Sequence, residues 1–298
     1  MEKSRTLVLD RPLDLRRTFA VTGLKGPTKR VQDGGLWRTS RTPEGPGTIR
    51  LSIGSSGDLD ALAWGRGADW LLDRLPAMVG ECDDDSSFTP YHDSVRSMAR
   101  RAKGLRLPAV GTMVEVLIPI VLAQKVTGVA AGRSYRRLLA RFGEPAPGPV
   151  DLPVSPDPDV IAGLPYYDFH PLGIEKKRAD TLLRVCRAAH DLDRAVERGR
   201  AVAYRILEGL GGIGPWTSAR AMMVVAGDPD AVPVGDYHIP NSVAWALVAE
   251  PRATDARMLE LLHPYEGQRG RVIRLVEVFG GHAPAYGPKL APRSFERH

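Results

Sequence analysis

At 298 residues with 43% apolar residues, the chain can bury the cores of two domains, and its formal charge of +6 suits a polyanionic partner. Two well-separated cysteines, Cys82 and Cys186, argue against a disulfide scaffold, a structural zinc site and a cysteine-ligated iron–sulfur cluster. No apolar run reaches membrane-spanning length and the start, MEKSRTLVLDRPLDL, lacks a signal-peptide apolar core, so a cytoplasmic protein with no membrane partner is expected.

Residues 6–60 read as short strands and turns. TLVLD and TIRLSIG are β-rich, and Gly34-Gly35, Pro43 and Gly45-Pro46-Gly47 break the stretch between them. A helical pattern with Leu62, Trp70, Leu71, Leu72 and Leu75 then runs to Pro76. The expected fold class is α+β: a small mixed N-terminal domain over 1–85, then a larger all-α domain over 86–298. Trp37 and Trp64 read as core residues of the first. Asp83-Asp84-Asp85 reads as a solvated linker between the two.

Periodicity becomes helical from Tyr91. Arg96, Arg100, Arg101, Lys103 and Arg106 form a basic segment, either a solvated face or a phosphate contact. Met113 to Gln124 is almost wholly apolar, which marks a buried helix, with Pro119 expected to kink it. A further amphipathic helix covers Ser134 to Phe142. Six prolines within 144–158 make a connector. The helix after Leu172-Gly173 carries Ala179, Leu182, Leu183, Cys186 and Ala189 on its apolar face, and Cys186 acts there as a small hydrophobe. His170, before Pro171, reads as structural.

The most informative stretch is 205–241. A helix ends at Leu210-Gly211-Gly212-Ile213-Gly214, and a second opens at Pro215, where proline is tolerated. Glycines there leave the backbone uncovered, so a phosphate can approach Gly212, Gly214 and the amides up to Thr217. Asp236 follows 20 residues after Trp216, in Val234-Gly235-Asp236-Tyr237. Thr254 is placed to cap a helix bearing Met258, Leu261 and Leu262. A last helix carries Arg269, Arg271 and Arg274, a second patch that is either DNA-facing or solvated, and the tail 284–298 is expected to be irregular.

LxGIGPWTS followed by the Gly-Asp-Tyr loop resembles the helix-hairpin-helix DNA glycosylases, and within them the bacterial 3-methyladenine DNA glycosylase II branch. The resemblance implies a two-lobed helical glycosylase domain with Asp236 at the cleft, acting on double-stranded DNA that contains a damaged base. It implies that Asp236 stabilises positive charge developing at C1′ of the sugar; the same residue would also serve as the cap of the next helix. Bifunctional relatives place a lysine where this chain has Trp216, so no strand cleavage is expected. Trp216 and Tyr237 would face the extruded base, with an alkylated, cationic purine as the expected substrate. Arg220 stands where that branch has a tyrosine, and 269–275 lacks its further tryptophan, which leaves neutral deaminated or oxidised purines open. Gln124, Lys125, Val126 and Thr127 match the region that fills the gap left by the base. Arg269 and Arg271 are carried as DNA contacts. Neither metal nor redox cofactor is expected, apart from a monovalent cation on the hairpin carbonyls of 208–213. The expected enzyme is monomeric, and the competing reading is a non-catalytic DNA-binding protein.

Overall fold

The structure is a computed structural model that describes residues 1–20, 26–281 and 283–284. The tail expectation for 285–298 lies outside these residues.

The first part is a five-stranded antiparallel sheet. Its strands are β1 (Glu2–Leu7), β2 (Lys29–Gln32), β3 (Gly35–Thr42), β4 (Gly45–Ile53) and β5 (Leu59–Gly65), in the order β1-β5-β4-β3-β2. A short helix, α1 (Leu15–Phe19), follows β1. Strands β2 to β5 form a meander, and β1 closes the edge by pairing Leu7 with Leu59 and Glu2 with Trp64. The stretch that sequence reads as broken contains β2, β3 and the start of β4. Asp33 and Gly34 both take positive φ (50° and 69°), which is the backbone of a two-residue hairpin turn between β2 and β3. Leu62 belongs to β5 and not to a helix. The helical pattern begins later, in α2 (Ala68–Asp73) and α3 (Leu75–Met78), and Pro76 sits in the first turn of α3 instead of ending a helix.

Leu36, Ile49, Leu51, Ala61 and Ala63 line the inner face of the sheet. Trp37 and Trp64 lie on the other face, stacked at 5.3 Å, and are covered by Val150 and Leu152 from the proline-rich connector. Gly148 has φ +92° there, and a Cβ on it would come 2.7 Å from Trp64. The expected core role of both tryptophans holds, in a satellite cluster.

The helical part comprises α4 (Asp93–Arg101), α5 (Met113–Leu122), α6 (Gly128–Phe142), the two-residue strands β6 (Glu144–Pro145) and β7 (Pro153–Val154), and α7 (Pro158–Ala162). Two single 3-10 turns lead to α8 (Lys176–Arg187), α9 (Ala189–Glu197), α10 (Arg200–Glu208) and α11 (Pro215–Val225). The last elements are α12 (Ile239–Val248), α13 (Asp255–Leu262) and α14 (Arg269–Phe279). The observed class is therefore α+β, with the sheet first and helices after.

Two hydrophobic cores organise these helices. The first joins the inner face of the sheet to α5, α6 and α8 to α11. The second joins Val95 and Met98 of α4 to α12, α13 and α14. Helix α11 serves both: Ala221, Met222, Val224 and Val225 enter the first, Ala219 and Met223 the second. It is the shared wall between the lobes.

Helix α5 is buried nearly all round, as expected, and runs unbroken through Pro119. It meets the sheet through the buried pair Arg38–Glu115 at 2.6 Å. Burial pushes the Glu115 carboxyl up, and Arg38 opposes that shift. Burial likewise raises the Cys186 thiol to about 12, in keeping with a small core hydrophobe.

Several expected solvent-facing charges are internal. Asp83 is not part of a solvated linker; it is buried, pairs with Arg271 and accepts from the Leu107 amide at 2.9 Å. Arg106 leaves the basic segment for the interior, where it pairs with Glu81 and donates to the Pro12 carbonyl. Arg96, Arg100, Arg101 and Lys103 stay exposed. Burying a guanidinium is tolerated because each finds a carboxylate and carbonyls to satisfy its fork of donors.

Candidate active site and nucleic-acid interface

Helices α10 and α11 form a hairpin whose turn is 209–214. Gly212 has φ +97°, and a Cβ there would lie 2.2 Å from the Thr181 hydroxyl, so only glycine fits. Gly214 is different: its φ of −115° is open to any residue, and an added Cβ meets no protein atom within 4 Å. Ile213 plugs the turn into the first core. Glu208 at the end of α10 accepts from the Ser218 hydroxyl at 2.6 Å and locks the two helices.

The contrast between the glycines is testable. Gly212→Ala is expected to distort the hairpin and lower the melting temperature. Gly214→Ala should leave melting unchanged or slightly raised, since it only restricts the unfolded chain, while weakening duplex affinity by covering the approach to the turn. Paired melting and gel-shift measurements would check both.

Gln124, in the turn after α5, donates through Nε2 to the Gly212 carbonyl and the Thr217 hydroxyl, both at 2.9 Å. Its amide is thus committed to the hairpin, and Thr217, 2% exposed, faces Gln124 instead of solvent. Both side chains brace the hairpin. Arg178 of the Leu172-Gly173 segment donates to the Leu122 carbonyl at 2.9 Å and fixes the end of α5 that carries this turn. Thr127 caps α6 by accepting from the Ala130 amide. Val126 is half-buried, whereas Lys125 is exposed and holds φ 55°.

Asp236 lies in the loop before α12, and Gly235 (φ +89°) ties that loop to α13 by donating to Asp255 at 3.1 Å. Its Oδ1 accepts the amides of His238 and Ile239 at 2.8 and 2.9 Å. Its Oδ2 accepts the Trp216 indole N–H at 2.7 Å. One oxygen holds the two amides at the start of α12, and the other faces the hairpin helix. A carboxylate has about four acceptor positions, so with three engaged one remains, on Oδ2. The carboxylate is half-buried and its orientation is set from two elements.

Trp216 and Arg220 are one turn apart on α11 and share a face. Arg220 donates to Glu277 of α14 at 2.8 Å, and both side chains keep about a quarter of their surface exposed (27% and 26%). Tyr237 is 79% exposed, its ring edge-on to His238. It stands in solvent beside Asp236, not against Trp216, a disposition suited to stacking on a nucleobase.

The C-terminal arginines form no exposed patch. Arg271 is 4% exposed in its pair with Asp83, and Arg269 is engaged by both oxygens of Asp230. The expectation of DNA contact is corrected for Arg271, which is buried; Arg269 pairs with Asp230 yet keeps 31% of its side chain exposed. A basic surface that sequence reading missed lies elsewhere. Lys176, Lys177 and Arg184 of α8 line a groove of about 500 Å³ together with Gly211 and Gly212. Arg184 donates to the Gly211 carbonyl at 2.9 Å. Lys176 and Lys177 were visible as charges, but nothing local tells that α8 runs beside the hairpin.

The sequence profile described as the HhH-GPD superfamily base excision DNA repair protein matches residues 118–266, half of the chain and all of the hairpin and acid loop. The chain belongs to the HhH-GPD superfamily. Among curated HhH-GPD-like relatives, a "probable bifunctional transcriptional activator/DNA repair enzyme AlkA" from Mycobacterium tuberculosis is 28% identical over 241 residues. That alignment covers 75% of this chain and 48% of the relative, so the chain spans about half the length of the curated relatives it matches. In structure the chain is similar to a 3-methyladenine DNA glycosylase from Archaeoglobus fulgidus, with TM-score 0.79, 14% identity and coverage of 93% and 98% of the two chains. It is also similar to an 8-oxoguanine glycosylase/lyase from Clostridium acetobutylicum bound to double-stranded DNA, with TM-score 0.69, 12% identity and coverage of 93% and 96%. These structural likenesses establish the shared HhH-GPD fold, sheet included.

Proposed function

We propose that this chain is a monofunctional DNA glycosylase of base excision repair that hydrolyses the N-glycosidic bond of a damaged purine, working as a monomer in the cytoplasm. The observation that carries this is the Asp236 carboxylate, fixed by three donors with one acceptor position left, beside a hairpin with an open glycine at its tip. As the C1′–N bond breaks, its electron pair leaves with the base and positive charge builds on the sugar. Asp236 stabilises that charge at short range. Water then forms the C1′–O bond, giving its proton to the carboxylate as general base. Solvent takes that proton; a neutral purine, which departs as an anion, takes one back, whereas a purinium departs already neutral and the proton stays in solvent.

Trp216 supports a hydrolase without lyase action. Schiff-base formation requires an amine at C1′, and the residue whose side chain touches Asp236 is an indole. The named glycosylase/lyase relative makes this the point to test. Duplexes carrying single lesions should break only after hot alkali; breaks without alkali would refute the monofunctional reading. A non-catalytic DNA-binding role predicts binding with no base release.

For DNA contact, the groove of Lys176, Lys177 and Arg184 beside the hairpin tip, in which Asp180 pairs with Lys176, supports a path for one strand's phosphates, and Lys125 is a further exposed cation in the turn after α5. Lys177→Ala is expected to reduce the salt dependence of duplex binding by about one unit of log–log slope per lost phosphate contact, with sequence preference unaltered. Fluorescence anisotropy across a salt series checks this. For the monovalent cation expected at 208–213, the carbonyls of Gly211 and Gly212 already serve Arg184 and Gln124. The Leu210 carbonyl accepts the Ile213 amide at 3.0 Å, so the candidate donors reduce to the carbonyls of 208, 209 and 213, and such an ion would stiffen the turn.

The aromatic ring of Trp216 speaks for an alkylated, cationic base, while the names of the similar structures divide between a 3-methyladenine glycosylase and an 8-oxoguanine glycosylase/lyase. Arg220 works against a cation.

A further inference from the structure

The wall facing Trp216 along α11 is made by charge. Arg220 crosses from α11 to Glu277 on α14, and Glu277 in turn lies 3.7 Å from Arg274, whose side chain is 3% exposed. One carboxylate is thus shared by two guanidiniums, and the triad carries a net positive charge. Burial, with the charge of Arg220 adding to it, pushes Arg274 down to about 10, and Glu277 opposes both. At neutral pH Arg274 stays charged.

Arg220 spends one N–H on Glu277, and among the described residues no other partner takes the rest of its donors. They point to a side chain that solvent reaches. A base lying against the Trp216 ring would have its edge about one helical turn, roughly 5 Å, along α11. Arg220, one turn on from Trp216 along the same face of α11 and 27% exposed, is within reach of such an edge.

Resting on the glycosylase reading above, we propose that Arg220 is a specificity-determining residue that selects neutral purines bearing a carbonyl oxygen, the deaminated or oxidised class, over cationic alkylated ones, with Glu277 as the positioning residue that aims it. Two charges of one sign a few ångströms apart in a partly dry site repel strongly, so an alkylated purinium pays for the guanidinium. A neutral purine gains twice. Its carbonyl accepts from Arg220, and as the C1′–N bond breaks the electron pair that moves onto the ring is drawn toward that oxygen. Negative charge then develops against a fixed cation. A neutral leaving group needs such help, and a purinium does not.

The test uses single-lesion duplexes with hypoxanthine, 8-oxoguanine or 7-methylguanine, and two readouts. In single-turnover base release, the wild type should favour hypoxanthine or 8-oxoguanine over 7-methylguanine. Arg220→Gln should slow release of the neutral bases about 10²-fold and leave 7-methylguanine unchanged or faster. Glu277→Gln should reproduce a smaller part of that inversion. In equilibrium binding, Asp236→Asn protein should prefer the neutral-lesion duplexes, and the double variant with Arg220→Gln should lose that preference. A uniform loss on all three lesions would reduce Arg220–Glu277 to a structural bridge, and a wild-type preference for 7-methylguanine would overturn the proposal outright. Release without neutral preference sinks the pocket assignment and leaves the glycosylase standing. Preference in binding with no release from any duplex does the reverse.

Discussion

Asp236→Asn is expected to lower single-turnover base release by about 10²–10⁴-fold, equivalent to about 3–5 kcal/mol of transition-state stabilisation. Asparagine retains an oxygen for the amides of His238 and Ile239, so the start of α12 should survive. What it cannot retain is the second face. Where Oδ2 accepted the Trp216 indole N–H, an amide nitrogen would present a donor to a donor, and that hydrogen bond is lost at a cost of about 1 kcal/mol. Folding is therefore little changed while the chemistry collapses. Affinity for a duplex holding an abasic analogue should stay within a few-fold of wild type, because the hairpin and the α8 groove are untouched. A variant that still released base at a tenth of the normal rate would move the charge-stabilising role away from Asp236.

Asp83→Ala should be the most destabilising of the changes considered. It leaves Arg271 as a buried cation without a carboxylate, retaining Gln268, the Asp84 carbonyl and the face of Phe88 as partners, and frees the Leu107 amide as well. Breaking such a pair costs about 3–5 kcal/mol, which for a chain of this size lowers the melting temperature by roughly 5–8 °C. Joining Asp83→Leu with Arg271→Met should recover much of the loss, since an apolar pair of similar volume avoids the unpaired charge. By contrast, Asp230→Ala exposes only the partly solvated Arg269 and should cost about 1 kcal/mol or less. Melting curves of the four proteins test the ranking. Equal effects at Asp83 and Asp230 would show that burial is not what makes the first pair matter.

The hairpin and its acid were legible in the sequence because their chemistry is local. A proline at a helix start, a glycine with no conformational substitute at 212 and an aspartate ahead of an amphipathic run each constrain the backbone over a few residues. The helical character of α5 and the α+β order were legible for the same reason. What failed was anything decided by partners distant in the chain. Arg106, Arg269 and Arg271 look solvated when only helix amphipathicity is considered, and only the fold brings Glu81, Asp230 and Asp83 to them. Glu277 is one acid among many until α14 packs beside α11. The β2–β3 hairpin was missed for a nearer cause. Asp33-Gly34 is a two-residue turn signal, but the glycines and prolines around it read as a longer break. Thr217 shows the remaining limit, since its place in the motif suggests exposure while its hydroxyl is consumed by Gln124.

The second lobe is assembled from pieces far apart in the chain. Its α4 is complete by residue 101, yet the helices it packs against most, α12 and α14, come much later, and His92 and Asp83 meet Tyr265 and Arg271 at sequence separations of 173 and 188. Most of the chain between α4 and α12 builds the other core. During synthesis at roughly 5–20 residues per second, α4 therefore waits about 7–30 s for its partners. Throughout that interval the first lobe is free to close around α5, whereas the apolar stripe of α4 is left to chaperones, to proteases or to a neighbouring nascent chain.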